Sequence, residues 1–378
     1  LLLGLTSLFA DWLYEGARAV LPQYLAYLGA TAFLVGLIFG LGDAMGYALR
    51  LVSGPLSDRR GGYWAETFLG YSLQVLAVVA LAFAPWAGLV FALVLLERAS
   101  KAWRTPSRDV LVSSVGARAG LAFGVHGLLD QVGAAAGALM AAFLLFMGLG
   151  YRPFFLLLGL PGLLAIIFLL LAYNTGLRAS SARTERLQGP LDRRVLLFAL
   201  AQFLVGVSLP HVSLAMYRFS YVAYQASLIY LAAMLFEALA SGPIGIIYDR
   251  LGRATLLVPL LAPLTSYLFL GSYTMALAGA AVYSAVVGYS EVVAKAAASG
   301  LTWARATALG FVDAAFGFGV LLGSPLYGHF VDLGLHGPFL LLSASAAILG
   351  SLLSVLCFAA RPGGAGPKLK SPQGQPLP

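Results

Sequence analysis

The feature that most constrains this chain is a succession of apolar runs, each about as long as a bilayer is thick, joined by short polar loops. A helix needs about 20 mostly apolar residues to cross the hydrocarbon core. Turn signals and charge clusters divide the 378 residues into twelve such segments, near 2–28, 33–54, 65–83, 87–105, 119–148, 152–173, 194–219, 223–246, 255–274, 276–297, 306–333 and 337–360. Only 10% of the residues are charged and 60% are hydrophobic, whereas an ordinary soluble domain is about 25% charged. The expected fold is therefore an all-α membrane protein with twelve transmembrane helices. The faintest boundary lies between the ninth and tenth, at Gly271 to Thr274.

Orientation follows from the basic residues. The formal net charge of +8 would suit a nucleic-acid partner in a soluble protein, but here the basic residues sit in short loops and no nucleic-acid module accompanies them. Arg59/Arg60, Arg104/Arg108/Arg118, the loop from Arg178 to Arg194, Arg250/Arg253, Lys295/Arg305 and the tail with Arg361, Lys368 and Lys370 all fall on one side. The other side has only Arg152 and Arg218. The positive-inside rule makes the rich side cytoplasmic, and an even helix count puts both termini there. The longest polar loop, 174–193, divides a first six-helix bundle (1–173) from a second (194–360), and the Pro-, Gly- and Lys-rich tail 361–378 reads as disordered and cytoplasmic. The chain opens at Leu1 inside an apolar run without a methionine, so this reading allows for a missing start; no cleavable signal pattern is seen. Cys357, the one cysteine, reads as a small buried apolar side chain.

The two halves repeat one another. Gly54-Pro55-Leu56-Ser57-Asp58-Arg59-Arg60-Gly61 follows the second helix, and Gly245-Ile246-Ile247-Tyr248-Asp249-Arg250-Leu251-Gly252 follows the eighth. Gly124, Gly133 and Gly137 in helix 5 have the same nine-then-four spacing as Gly310, Gly319 and Gly323 in helix 11. Such glycines allow close helix packing and cheap sliding. Two repeated motifs in the same order imply parallel repeats, hence two pseudo-symmetric six-helix bundles.

Gly-x-x-x-Asp-Arg-x-Gly after helices 2 and 8 resembles the signature loop of the major facilitator superfamily, and the resemblance covers the whole chain. Three strings resemble a poorly characterised branch of prokaryotic permeases within it: Leu8-Phe9-Ala10-Asp11 with Glu15; Glu97-Arg98 running on to Lys101-Ala102-Trp103-Arg104-Thr105-Pro106-Ser107-Arg108-Asp109; and Ala122-Phe123-Gly124-Val125-His126 with Asp130. The resemblance implies the major facilitator fold, alternating access, and the cytoplasmic (inner) membrane of a prokaryote. It implies that Asp58 closes the cytoplasmic side by pairing with Arg104 or Arg108 and the start of helix 11, with Arg59 beside it, and that Asp249 and Arg250 do the equivalent in the second half. The helix 5 glycines resemble the superfamily's antiporter motif, which ends in a proline where this chain has Ala138; in helix 11 Ser324-Pro325 follows the last glycine.

Ionisable residues inside a span face a cavity or a partner. At about 1.5 Å per residue, Asp11 and Glu15 fall near the midplane of helix 1, where i, i+4, i+7 spacing puts them on one face with Arg18. Asp43 falls near the midplane of helix 2, with Tyr47 and Arg50 below it. Glu97 and Arg98 lie in helix 4, and His126 and Asp130 in helix 5. Five acids face three arginines in this half. Buried carboxylates without a counter-charge tend to take up a proton, so these eight residues (Asp11, Glu15, Arg18, Asp43, Glu97, Arg98, His126, Asp130) are the candidates for proton coupling in a central cavity. Asp130 with His126 is the pair expected to titrate. Ordinary structural pairing is the alternative, with Arg18 held by Asp11 or Glu15 and Arg98 held by an acid of helix 1 or 5. In the second half Glu291 and Lys295 read as a local i, i+4 pair. Gln202, His211, Tyr230, Glu237 and Tyr283 are the candidate substrate contacts, Ser208, Tyr217, Tyr267 and Tyr289 lying in the same region.

There is no P-loop, no zinc-spaced Cys/His cluster and no nucleophile–base pair, so neither an enzyme, a metal site nor a cofactor is expected. The leading expectation is a monomeric secondary transporter, with a small-molecule substrate, the proton and the lipid bilayer as its partners and export by antiport as the favoured direction. A proton-coupled uptake symporter, a metal or metal-chelate transporter, and a non-transporting receptor or lipid-handling protein are the alternatives.

Overall fold

The computed structural model describes residues 1–114, 119–177, 193–299, 301 and 305–359. The loop arginine Arg118, most of the 174–193 linker and the tail lie outside them. Twelve crossings are seen: α1 (2–27, in segments Leu2–Arg18 and Leu21–Tyr27), α2 (Ala32–Arg60), α3 (Tyr63–Phe83), α4 (Ala87–Ser113), α5 (Ala119–Phe146), α6 (Tyr151–Asn174), α7 (Arg193–Arg218), α8 (Ala223–Leu251), α9 (252–270), α10 (Tyr273–Ser299), α11 (Arg305–Asp332) and α12 (His336–Ala359). Ten contain spans long and apolar enough to cross a membrane on length and composition alone. The exceptions are α1, whose first segment has only 17 residues, and α4, which carries Glu97, Arg98, Lys101, Arg104, Arg108 and Asp109. Their hydropathy is low because they carry the charges of the interior. Outside, Leu76, Phe143, Leu160, Leu341 and Ile348 are among many exposed apolar side chains, the surface a lipid environment requires.

Helix ends follow local chemistry. Gly61 and Gly252, which close the two signature motifs, both have positive φ, +64° and +53°, a region that glycine enters without strain. Thr31 caps α2 and Ser272 caps the start of α10, so the faint boundary between α9 and α10 falls within Gly271 to Thr274. Leu209-Pro210 breaks α7, since proline supplies no N–H to the ladder, and the helix restarts at Val212 with His211 as its cap, its Nδ1 accepting from Ser213 N at 3.1 Å.

Packing repeats with the sequence. Helix α1 lies against α5 and α6 as α7 lies against α11 and α12, and α2 against α4 as α8 against α10. A Cβ at Gly133 or Gly137 would come within 2.1 and 2.4 Å of the α1 carbonyls of Leu8 and Trp12, and one at Gly319 or Gly323 within 2.1 and 2.8 Å of the α7 carbonyls of Phe203 and Val207. These glycines therefore hold each bundle together internally. Gly124 has nothing within 4 Å of its Cβ position, so in this conformation it is not a packing glycine. Gly310 is half-buried.

The bundles meet along α2–α11 and α5–α8. At the α2–α11 seam, Cβ atoms at Gly36 and Gly328 would fall 2.3 Å from the Ser324 carbonyl and 2.2 Å from that of Ala32. With an even number of crossings, Leu1 and Ala359 share one side, the terminal side. Contacts on the far side close the seam. Asp332 accepts from Ala32 N and Phe33 N at 2.8 and 2.9 Å, Gln23 Nε2 donates to Ser227 Oγ at 2.9 Å, and Tyr217 OH donates to the Ala30 carbonyl at 2.9 Å. Among the described residues the hydrogen bonds between the bundles lie at the centre and in the far half, except that of Tyr47 with Glu291, which lies about one helical turn toward the terminal side.

Candidate functional site

Two adjoining cavities lie between the bundles. The inner one, about 200 Å³, is bordered by both bundles, from Glu15, Arg18 and Asp43 to His211, Tyr230, Glu237 and Tyr283. The outer one, about 500 Å³, runs toward the terminal side past Tyr14, Arg98, Lys101 and Arg108. Glu15, Arg18, Asp43, Tyr47 and Glu291 border both.

Asp43 is the hub. Arg18 Nη2 stands 3.5 Å and Arg98 Nη1 3.3 Å from its Oδ1, and His211 Nε2 lies 3.4 Å from Oδ2. Arg18 Nη2 is also 3.3 Å from His211 Nε2, and Arg18 Nη1 donates to Tyr14 OH at 3.2 Å. Arg98 donates to the same hydroxyl. Four helices, α1, α2, α4 and α7, thus converge on one carboxylate across the bundle boundary. Tyr230 OH of α8 donates to Glu15 of α1, a second bridge, and Tyr47 OH of α2 donates to Glu291 Oε1 of α10 at 2.9 Å, a third.

Several sequence expectations change here. Arg18 takes neither Asp11 nor Glu15 but Asp43. Arg98 finds its acid on α2 rather than on α1 or α5, although it also donates to Tyr14 of α1, and it lies 3.7 Å from its neighbour Glu97. Asp11 pairs instead with Lys101 at 3.2 Å, a cation that the charge count left out, whose Nζ stands 3.6 Å from the centroid of the Tyr14 ring. Glu97 accepts from Gln74 Nε2 at 2.9 Å, and Gln74 accepts from the wholly buried Arg104 at 2.8 Å. His126 Nε2 and Asp130 Oδ2 are 3.7 Å apart, beyond hydrogen-bond reach. Asp130 borders the outer cavity, whereas His126 borders neither.

The signature loop is unlatched. Asp58 is exposed and accepts from Tyr63 OH at 3.2 Å. Arg104 is held by Gln74 and by the face of Tyr71, 3.7 Å from its centroid, and Arg108 is paired with Asp109 at 2.8 Å. Neither bonds Asp58. Arg59, Asp249 and Arg250 are exposed, and Gly54 and Gly245 half-buried. Beside the loop lies a buried group with no distinctive sequence signal, Glu66 accepting from Ser57 and from Ser107 Oγ at 2.6 Å.

His211, Tyr230, Glu237 and Tyr283 border the inner cavity. Gln202 does not; it is fully buried and donates to Tyr289 OH at 3.1 Å. Tyr267 is exposed on the outer surface, and Tyr217 belongs to the far-side seam. Glu291 does pair locally with Lys295, at 2.5 Å, but Lys295 also reaches Asp313 at 3.5 Å. Glu291 lies in a π-helical stretch, Tyr289–Ala294, a distortion found often at functional sites.

No protein-family model matches the chain. An uncharacterized protein of Mycobacterium tuberculosis is 36% identical over 355 residues, 88% of this chain and 86% of the relative. An uncharacterized MFS-type transporter of Methanocaldococcus jannaschii is 26% identical over 278 residues, 68% of this chain and 67% of that protein. Among solved structures, the nucleoside transporter NupG superposes with a TM-score of 0.73 at 14% identity, covering 95% of this chain and 98% of that one. A POT peptide transporter in complex with alafosfalin gives 0.73 at 15%, covering 95% and 94%. Twelve helices in two like bundles around a shared polar cavity define a multi-pass membrane protein. Its fold is that of the major facilitator superfamily, to which its sequence is also similar through the MFS-type relative.

Proposed function

We propose that this protein is a proton-coupled secondary transporter of a small organic solute, working by alternating access between bundles 1–173 and 194–360. The observation that carries this reading is the pair of cavities between the bundles, with carboxylates of both halves on their walls and, among the described residues, most of the hydrogen bonds between the bundles at the centre or beyond. Closing the terminal side while breaking the contacts of Asp332, Gln23 and Tyr217 would carry the cavity to the other face, a rigid-body exchange of the kind such folds support. Asp11, Glu15, Asp130 and Glu237 are the proton-carrier candidates, since each borders a cavity. Mycobacterial relatives and basic loops support a prokaryotic inner membrane with both termini in the cytoplasm. The glycine pattern of α5 favours export. A metal cargo finds less support, because among the described residues no group of three or more His, Cys, Asp or Glu is placed to hold an ion.

The test needs no known substrate. In a C357S background, spin labels at Arg60 and Leu251 report the terminal side, and labels at Tyr27 and Tyr221 the far side. Double electron–electron resonance should show two distance populations on each side, changing in opposite senses between pH 5.5 and 7.5. A single population that ignores pH would rule the reading out.

A further inference from the structure

Charges around the inner cavity do not balance. In the first bundle Arg18 and Arg98 share Asp43, at 3.5 and 3.3 Å, and Lys101 holds Asp11 at 3.2 Å. Opposite, Lys295 lies between Glu291 and Asp313, at 2.5 and 3.5 Å. Two carboxylates on the cavity wall have no cation within ion-pair distance among the described residues. Glu15 is only 8% exposed, borders both cavities, and spends one oxygen on the Tyr230 hydroxyl, leaving the other without a partner among the described residues. Glu237 borders the inner cavity and has neither hydrogen bond nor ion pair among the described residues. Tyr230, Tyr283 and Phe316 also border this cavity. An uncompensated carboxylate away from bulk water is costly until a proton or a cation neutralises it, and aromatic faces attract cations.

We propose that the solute is an organic cation, an amine or onium ion with an apolar body, its positive centre held by Glu15 and Glu237 and its body against the rings of Tyr230, Tyr283 and Phe316. The inference rests on the transport reading above and adds the charge of the cargo. It also supplies an exchange: solute and proton compete for the same two carboxylates, so binding one expels the other. The charged and titratable groups that border the inner cavity with Glu237 are Glu15 and Arg18 of α1, Asp43 and Tyr47 of α2, His211 of α7, Tyr230 of its own helix α8, and Tyr283 and Glu291 of α10. Arg18, Asp43, His211 and Glu291 are already paired with one another or with Lys295, which leaves Glu15 and Glu237 as the carboxylates to take up the proton.

The purified protein is titrated with tetraphenylphosphonium, benzylamine, benzoate and phenylalanine at pH 7.5 and 5.5, following equilibrium binding and the thermal midpoint. Both cations should bind, at least tenfold more weakly at the lower pH, and clearly better than benzoate or phenylalanine. Glu15→Gln and Glu237→Gln should each weaken cation binding at least tenfold, while Glu237→Asp retains it, which separates a lost charge from a lost fold. Tighter binding of benzoate or phenylalanine, cation binding unchanged in Glu237→Gln, or no binding of either cation overturns the proposal. The spin-label experiment fails separately: cation binding without alternating accessibility would leave this site standing and remove transport.

Discussion

Asp43 gathers donors from three other helices, Arg18 of α1, Arg98 of α4 and His211 of α7. A carboxylate between two largely buried guanidinium groups compensates their desolvation, and its removal leaves Arg18 without its ion pair and Arg98 with only the more distant Glu97. Breaking a buried pair in this way costs about 3–5 kcal/mol. Asp43→Asn is therefore expected to lower the thermal midpoint strongly in detergent, whereas Asp58→Asn, at an exposed residue with one tyrosine partner, should leave it nearly unchanged. Equal midpoints for the two variants would mean that the hub is not a structural keystone. The individual residues of this hub are legible in the sequence as charges within apolar spans. Their partners are not, because helical periodicity relates residues along one helix, and Arg18, Arg98 and Lys101 all find acids on neighbouring helices.

Glycine decides how closely the helices approach. At Gly137 and Gly319 the missing side chain is what lets the backbone of α1 or α7 touch the facing helix. Overpacking typically costs about 1–3 kcal/mol, and a backbone carbonyl has less room to yield than a side chain. Gly137→Leu and Gly319→Leu are expected to lower both yield and thermal midpoint. Gly124→Ala meets open space and should be neutral or stabilising by about 0.5–1 kcal/mol, the helix-propensity gain over glycine. Similar midpoints for Gly137→Leu and Gly124→Ala would contradict the packing described here. The repeated spacing in helices 5 and 11 marks these glycines in the sequence but does not say which contact they serve. Four of the six, Gly133, Gly137, Gly319 and Gly323, pack against α1 or α7 inside their own bundle, while the tight approach between bundles falls to Gly36 and Gly328, which belong to no repeat.

At the scale of the whole molecule the conformation rests on a few far-side contacts. Asp332, at the end of α11, accepts from the first two amides of α2 across the bundle boundary. A helix cap is worth about 1 kcal/mol, so Asp332→Ala should shift the balance toward a far side that opens by roughly fivefold at 25 °C, read as a change in the Tyr27–Tyr221 distance populations. An unchanged distribution would assign the closure to the glycine seam and the contacts of Gln23 and Tyr217. Twelve crossings and the major facilitator fold in two bundles follow from the sequence by itself. Bilayer thickness sets span length, backbone hydrogen bonding in lipid demands helices, and glycine at positive φ leaves its mark in the motif that ends both α2 and α8. The sequence also marks which residues are costly in an apolar interior. Only the tertiary structure decides which carboxylates are compensated and which are left over, because that balance depends on distances between helices far apart in the chain. It also decides that Asp58 stands unlatched from Arg104 and Arg108, since both states of such a molecule are written in the same residues and differ only in how two bundles meet.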